Sequence, residues 1–274
     1  MRFRAKRSRL AEVSGLVGLA VVGKSTKRIF ECLHIVANKD GLEVTGTDLD
    51  VAIRYRMSED LEILEPGEAV VPAQLFVNTL REIGDETVLV AAGRQKLTLD
   101  TDGGFFELEC EDPAQFPAIP EFSAASVLQI SAVDLGQLVS RTVFAAGKEA
   151  ARFVLNGVQI RAQEDNLRCV ATDGRRLAML SRPIDRRNGT EGRDYSAVVG
   201  VKGLRHFERI AAGTEDEGPV EILLADRFVA VRTKHAEVIA RVMDGTFPDV
   251  DQIVPKECVA NISIPVAGLA ARLR

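Results

Sequence analysis

The sequence predicts an α+β protein built from repeated modules, each with two helices packed on antiparallel sheets. A long segment recurs at a fixed shift of 125 residues, helix-spaced apolar stripes recur with it, and short alternating runs bounded by Gly, Asp and Asn fill the intervals. At 274 residues the chain has room for two ordinary domains with their own cores.

The first expected helix spans Leu10 to Lys24, where Leu10, Val13, Val17 and Ala20 follow the rhythm of one helical face, with Ser8 as N-cap and Gly23 as C-cap. It lies over Leu135–Glu149, the third helix, at the shift of 125. Next, IVANKDGLEVTGTDL (Ile35–Leu49) lies over IRAQEDNLRCVATDG (Ile160–Gly174), so that Asp40, Leu42, Thr47 and Asp48 fall on Asp165, Leu167, Thr172 and Asp173. Both read as strand pairs around a turn. Alternating runs from Leu42 (LEVTGTDLDVAIRYRM) and Val220 (VEILLADRFVAVRTKHAEVIARV) supply further strands. The second and fourth helices are expected in VVPAQLFVNTLREIG from Val70 and VVGVKGLRHFERIAAG from Val198, at a shift of 128.

FPAIPEF from Phe116 and FPDVDQIVP from Phe247 suit extended connectors, since Pro disfavours helix around it. They divide the chain into modules at 1–123 and 124–256. The remaining segment, 257–274, contains ISIPVAGLAARLR, which sets Ile264 over Ile130 and Leu269 over Leu135. It reads as a third module that stops inside its first helix.

Composition fits a soluble globular protein, with 46% hydrophobic residues, no Trp and no apolar run near the length of a membrane span. MRFRAKRSRL carries no signal-peptide pattern, and Cys32, Cys110, Cys169 and Cys258 lie far apart, so a cytoplasmic location with reduced thiols is expected. The total charge of −5 hides an asymmetry: residues 1–30 carry +7, leaving −12 for the rest. A basic region on an acidic protein suits local contact with a polyanion, and equally a solvated charged surface.

GLAVVGKS, Gly18 to Ser25, fits the phosphate-loop pattern letter for letter. A phosphate loop follows a strand and opens a helix, whereas this one follows helical periodicity and is apolar at Leu19, Ala20, Val21 and Val22. Nucleotide hydrolysis is therefore not expected. Asp48 and Asp50 alternate as D-x-D, yet Asp48 repeats as Asp173, which suits a shared turn better than Mg²⁺ binding. The histidines, His34, His206 and His235, lack metal-ligand spacing, and no nucleophile motif occurs. No catalytic residue, metal or cofactor is expected.

LNGVQIRAQEDNLRCVATDGRRLAML (Leu155–Leu180), GTDLDVAIR (Gly46–Arg54) and the FP connectors together closely resemble the bacterial sliding clamp family, the beta subunits of DNA polymerase III. The similarity runs over the whole chain. It implies the DNA-clamp fold: a ring of modules, strands outside and helices inside, that encircles duplex DNA and tethers the replicative polymerase, without catalysis. Lys and Arg on pore-facing helices would give sequence-independent phosphate contacts. The candidates are Lys24 and Arg28 at the end of the first helix, Lys148 and Arg152 at the matching end of the third, and Lys202, Arg205 and Arg209 on one face of the fourth, with Leu204 and Phe207 turned to the core.

The resemblance further implies an apolar cleft where the polymerase and clamp loader insert a short peptide. Its second-module wall matches Leu155, Thr172, Gly174, Arg175, Arg176 and Leu177, and the connector adds Pro248, Ile253 and Val254. Glu149, Gln252 and the segment Ser25–His34 depart from the family pattern. In the family two three-module chains close head to tail as a homodimer. Here a truncated product, a two-module clamp closing as a trimer, and a two-module binding scaffold that does not encircle DNA remain as alternatives.

Overall fold

The computed structural model describes residues 1–121, 126–148, 154–187, 194–213, 218–255, 259–260 and 262–273. Residues 1–244 form one compact unit and residues 245–274 another.

In the larger unit the chain runs β1 (Arg2–Lys6), α1 (Arg7–Gly18), β2 (Cys32–Asn38), β3 (Gly41–Thr47), β4 (Val51–Met57), β5 (Leu61–Glu65), β6 (Gly67–Pro72), α2 (Ala73–Glu82), β7 (Thr87–Ala92), β8 (Lys96–Thr101) and β9 (Gly104–Glu109). The same order recurs as β10 (Ser126–Ile130), α3 (Ala132–Ser140), β11 (Gly157–Gln163), β12 (Asn166–Thr172), β13 (Leu177–Pro183), β14 (Asp185–Arg187), β15 (Tyr195–Gly200), α4 (Val201–Ala212), β16 (Val220–Leu224), β17 (Phe228–Arg232) and β18 (Ala236–Arg241). The first residues of α1 and α3, of β2 and β11, and of β3 and β12 differ by 125, as the sequence repeat requires.

Every strand pair among the described residues is antiparallel. β5-β1-β7-β8-β9 form a five-stranded sheet and β13-β12-β11-β15 a four-stranded one. The third sheet has nine strands, β14-β10-β16-β17-β18-β4-β3-β2-β6. It is the second copy of the five-stranded sheet fused to the first copy of the four-stranded sheet, joined where β18 lies on β4 with Val238 opposite Ile53. Both residues are fully buried, so the joint is continuous core.

The helices cover these sheets in pairs, α1 against α2 and α3 against α4. α4 buries Leu204, Phe207 and Ile210 and leaves Lys202, Arg205 and Arg209 exposed, the two faces its sequence spacing predicts. Burying a side chain such as Phe207 contributes about 1.5–3 kcal/mol. Gly203 lets α4 come close to the joint, because a Cβ there would stand 2.6 Å from the Ala240 Cβ. Likewise Gly46 admits α1 to β3, where a Cβ would meet the Val17 carbonyl oxygen at 2.9 Å.

Several expected boundaries are corrected. α1 starts directly after β1, so Lys6 holds the N-cap position and Ser8 lies inside the first turn. The helix stops at Gly18, and Leu19 and Ala20 close it with bonds from their N–H groups to the Leu16 and Val17 carbonyls at 3.2 and 3.0 Å. Ala20 is still buried, so the apolar stripe outlasts the helix, and Gly23 is an exposed loop residue rather than the cap. Val70, Val71, Val198 and Val199 are strand residues of β6 and β15; their β-branched side chains pair on the sheet and the helices begin after them. The third helix ends at Ser140, followed by a 3-10 turn at Val143–Ala145. At its start Ser131 accepts from the Asp134 N–H at 3.0 Å, a side-chain cap that α1 lacks.

In the smaller unit, a 3-10 turn at Val250–Gln252 is capped by Asp249, which accepts from the Asp251 N–H. Helix α5 (Val266–Leu273) follows, with every described residue exposed.

Candidate functional sites

The stretch Gly18–Ser25 is no phosphate cradle. It leaves the end of α1 and leads into a 3-10 turn at Arg28–Glu31 and then β2, so it neither follows a strand nor opens an α-helix, as a phosphate loop does. The D-x-D motif is a turn. Asp48 Oδ1 accepts from the N–H groups of Asp50 and Val51 at 3.0 and 2.7 Å, and Thr47 Oγ1 accepts from the Leu49 N–H at 2.9 Å. The second copy repeats it: Asp173 Oδ1 accepts from Arg175 and Arg176 at 2.9 and 3.0 Å, and Thr172 Oγ1 accepts from the Gly174 N–H at 3.0 Å. The bond from the Arg175 N–H, followed by that from Arg176, holds the Asp173 carboxyl below its usual range. Among the described residues the thiols are poor nucleophiles at neutral pH, since burial pushes Cys32 and Cys169 to about 12 and Cys110 to about 11, while Cys258 lies outside the described residues.

The basic candidates divide by what holds them. Lys24 is exposed in the loop six residues past the end of α1, and Lys148 is exposed eight residues past α3, so neither is helical. Arg28 lies 3.6 Å from Glu111 and 4.0 Å from Glu109, which offset its charge. Lys202 donates to Asp48 Oδ2 at 2.5 Å, and Arg205 pairs with Glu208 at 2.9 Å. Lys24, Lys148 and Arg209 have no carboxylate partner among the described residues. Arg152 lies outside the described residues. His206 is pushed below its ordinary value by burial first, then by Lys202 and Arg209.

A second cluster surrounds the Thr172–Arg176 turn. Lys148, Leu155, Asn156, Asp173, Arg175 and Arg176 line a pocket of about 260 Å³. Leu155 and Thr172 are buried, Leu177 is half-buried, and Gly174, Arg175 and Arg176 are exposed. Arg176 also stacks over the Phe144 ring, 5.9 Å from its centroid. Lys148, predicted with the basic helices, therefore lines the same pocket as Leu155, Arg175 and Arg176. Asn156 and Asp173 were not singled out as site residues. Asp173 was legible through its repeat of Asp48, while only the fold places Asn156. Pro248, Ile253 and Val254 belong to the smaller unit, where Pro248 and Ile253 are exposed and Val254 is half-buried.

Two fused copies of one α+β motif with antiparallel sheets and paired helices define the class. The crystal structure of the DNA polymerase sliding clamp from Bacillus subtilis superposes with a TM-score of 0.87 at 27% identity, covering 94% of this chain and 68% of that one. A sliding clamp from Pseudomonas aeruginosa, determined bound to griselimycin, gives 0.86 at 28% identity over 94% and 68%. The fold is the DNA-clamp fold.

Residues 1–120 match the N-terminal domain of the DNA polymerase III beta subunit, and residues 129–249 match its central domain. The beta sliding clamp of Bacillus subtilis strain 168 is 29% identical over 271 residues, 96% of this chain and 70% of the relative. That of Pseudomonas aeruginosa is 29% identical over 257 residues, 93% and 68%. The chain belongs to the DNA polymerase III beta subunit family, the bacterial sliding clamps, whose members are non-catalytic processivity factors.

Proposed function

We propose that this chain acts as a DNA sliding clamp, surrounding duplex DNA as part of a ring and tethering the replicative polymerase to it. The observation that carries the reading is α4, whose buried Leu204, Phe207 and Ile210 leave Lys202, Arg205 and Arg209 on one exposed face. Such a face neutralises phosphates without reading bases, as sliding requires. Lys24, Arg28, Lys148 and Arg152 extend the basic set. In this reading residues 1–123 and 124–256 are the first two clamp modules, and 257–274 begin a third. No helix among the described residues is long and apolar enough to cross a membrane, and we assign the protein to the cytoplasm with the DNA it serves.

The pocket at Lys148, Leu155, Arg175 and Arg176 is the wall on which a short partner peptide from the polymerase or clamp loader docks. Thr172, Gly174 and Leu177 flank it. The test is retention of the protein on nicked circular DNA, loss of which on linearisation marks topological binding. Arg205→Ala with Arg209→Ala should weaken retention equally on unrelated sequences. Sequence-dependent loss, or retention unaffected by linearisation, would overturn the reading.

A further inference from the structure

The stretch Gly18–Ser25, which is no phosphate cradle, sets Gly18, Leu19, Val21, Val22 and Gly23 along one wall of a groove of about 420 Å³. The other wall is α2 with the residue before it, from Pro72 to Arg81. The side chains that rule out a phosphate loop make this groove apolar, and Leu19 on one wall and Leu75 on the other remain 38% and 52% exposed. Gly18 and Gly23 keep it open, because a Cβ at either would meet no atom within 4 Å.

The two ends of the groove carry opposite charges. Glu31 stands at one end, next to Cys32, which pairs with Pro72 at the start of α2. Its carboxylate accepts from the Ser25 N–H at 2.5 Å, which fixes its place. Arg81, in the last turn of α2, stands at the other end, where a Cβ on Gly15 would lie 3.4 Å from its Nη2. Neither Glu31 nor Arg81 has an ion-pair partner among the described residues. α2 starts without a side-chain cap or an acid in its first turn, and Glu31 supplies the negative charge there, so that end disfavours an anion and suits a cation. The helix from Ala73 to Arg81 rises about 12 Å, and four residues of extended peptide span about 13 Å.

The repeat puts a hollow at this place in both copies of the motif. At the shift of 125, Val21, Val22, Gly23 and Glu31 fall on Ala146, Gly147, Lys148 and Asn156, which line the pocket of the second copy. The charges differ, because Gly23 stands for the cation Lys148 and the carboxylate of Glu31 for the amide of Asn156. The two hollows therefore select different ligands.

We propose that the groove between α1 and α2 binds a short extended peptide with a Lys or Arg at the Glu31 end, two apolar residues between Leu19 and Leu75, and an Asp or Glu at the Arg81 end. Apolar anchors supply the affinity and the two end charges select the sequence. The site goes beyond the clamp reading and needs neither DNA nor the pocket at Lys148.

The test is amide NMR of the ¹⁵N-labelled 274-residue chain, titrated with the end-capped peptides Lys-Leu-Leu-Glu and Lys-Leu-Leu-Lys. Lys-Leu-Leu-Glu should bind with a Kd below about 1 mM, the range open to so small a ligand, and shift the Gly18 and Gly23 N–H signals. Gly18→Leu puts a side chain into open space in the groove and should weaken binding at least about tenfold, the worth of one buried leucine. Arg81→Glu should reverse the preference in favour of Lys-Leu-Leu-Lys. Thermal melting checks that both variants fold. The proposal is overturned by an absence of saturable shifts at about 5 mM peptide, well above that Kd. It is equally overturned by shifts confined to the Lys148 pocket, by binding that Gly18→Leu leaves intact, or by a preference that Arg81→Glu leaves unchanged. None of these results bears on DNA retention through α4, so the two readings fail separately.

Discussion

Arg54 of β4 donates to Glu237 of β18 at 3.1 Å, across the joint that fuses the two copies of the motif. Their side chains are 12% and 8% exposed, and Glu237 also accepts from Arg232 at 2.7 Å while Arg54 lies 3.3 Å from Glu43. Removing one partner leaves a charge with little access to water. Glu237→Gln should therefore cost about 3 kcal/mol in urea unfolding. Arg54→Met with Glu237→Leu should recover part of that loss, because an apolar pair needs no desolvated charge. A loss under about 1 kcal/mol in the single variant, the surface-pair range, would show that water screens the pair.

The joint was not legible in the sequence, although its parts were. Repeat spacing placed α1, α3, β2, β3, β11 and β12, since each carries its own periodicity. Nothing local says that β18 and β4, almost two hundred residues apart, lie side by side. Boundaries failed where one apolar signal serves two elements: Val70–Val71 continue into α2, and Ala20 continues the stripe of α1 after its backbone has turned. The basic face of α4 was legible from its spacing. That Asp48 holds Lys202 was not, because that contact links different copies of the motif.

Leu49 and Gly174 occupy the same place in the two repeated turns, with φ of +79° and +87°. Glycine adopts this region freely, whereas the Cβ of any other residue strains it. Leu49 is 53% exposed, so its side chain offers little packing in return. Leu49→Gly should raise stability by about 0.5–1 kcal/mol, the left-handed penalty less the entropy cost of glycine. Gly174→Leu should lower it by a similar amount. Equal destabilisation by both, read from urea midpoints, would mean that Leu49 packing outweighs backbone strain.

His206 gives the fold a pH dependence whose sign is fixed by its surroundings. Burial, with Lys202 and Arg209 nearby, depresses its value, and Asp48 opposes them weakly. The unfolded chain takes up the proton near the ordinary value of about 6.5 while the folded chain resists it. The contribution is complete above that value and declines as pH falls through it, until the folded histidine also protonates. Urea midpoints should drop between pH 7.5 and 5.5, and His206→Gln should flatten that part of the profile. An unchanged profile in the variant would assign the drop to other groups.

Lys202 donates to Asp48 at 2.5 Å and Arg205 pairs with Glu208 at 2.9 Å, so two of the three cations on the exposed face of α4 are already matched by acids. Arg209 has no such partner among the described residues. Counterion release scales with the phosphates a protein neutralises, at about 0.9 in the slope of log K against log salt per contact. Arg209→Ala should therefore lower the slope by about 0.9, and Lys202→Ala by clearly less. Asp48→Asn keeps an oxygen to accept from the Asp50 and Val51 N–H groups, so the turn survives while the lysine is released. That variant should steepen the slope, and Lys202→Ala in its background should then remove a full contact. Duplex binding followed by fluorescence anisotropy across a salt series reads all four slopes, and a Lys202→Ala effect independent of residue 48 would show that the carboxylate does not hold the lysine from DNA.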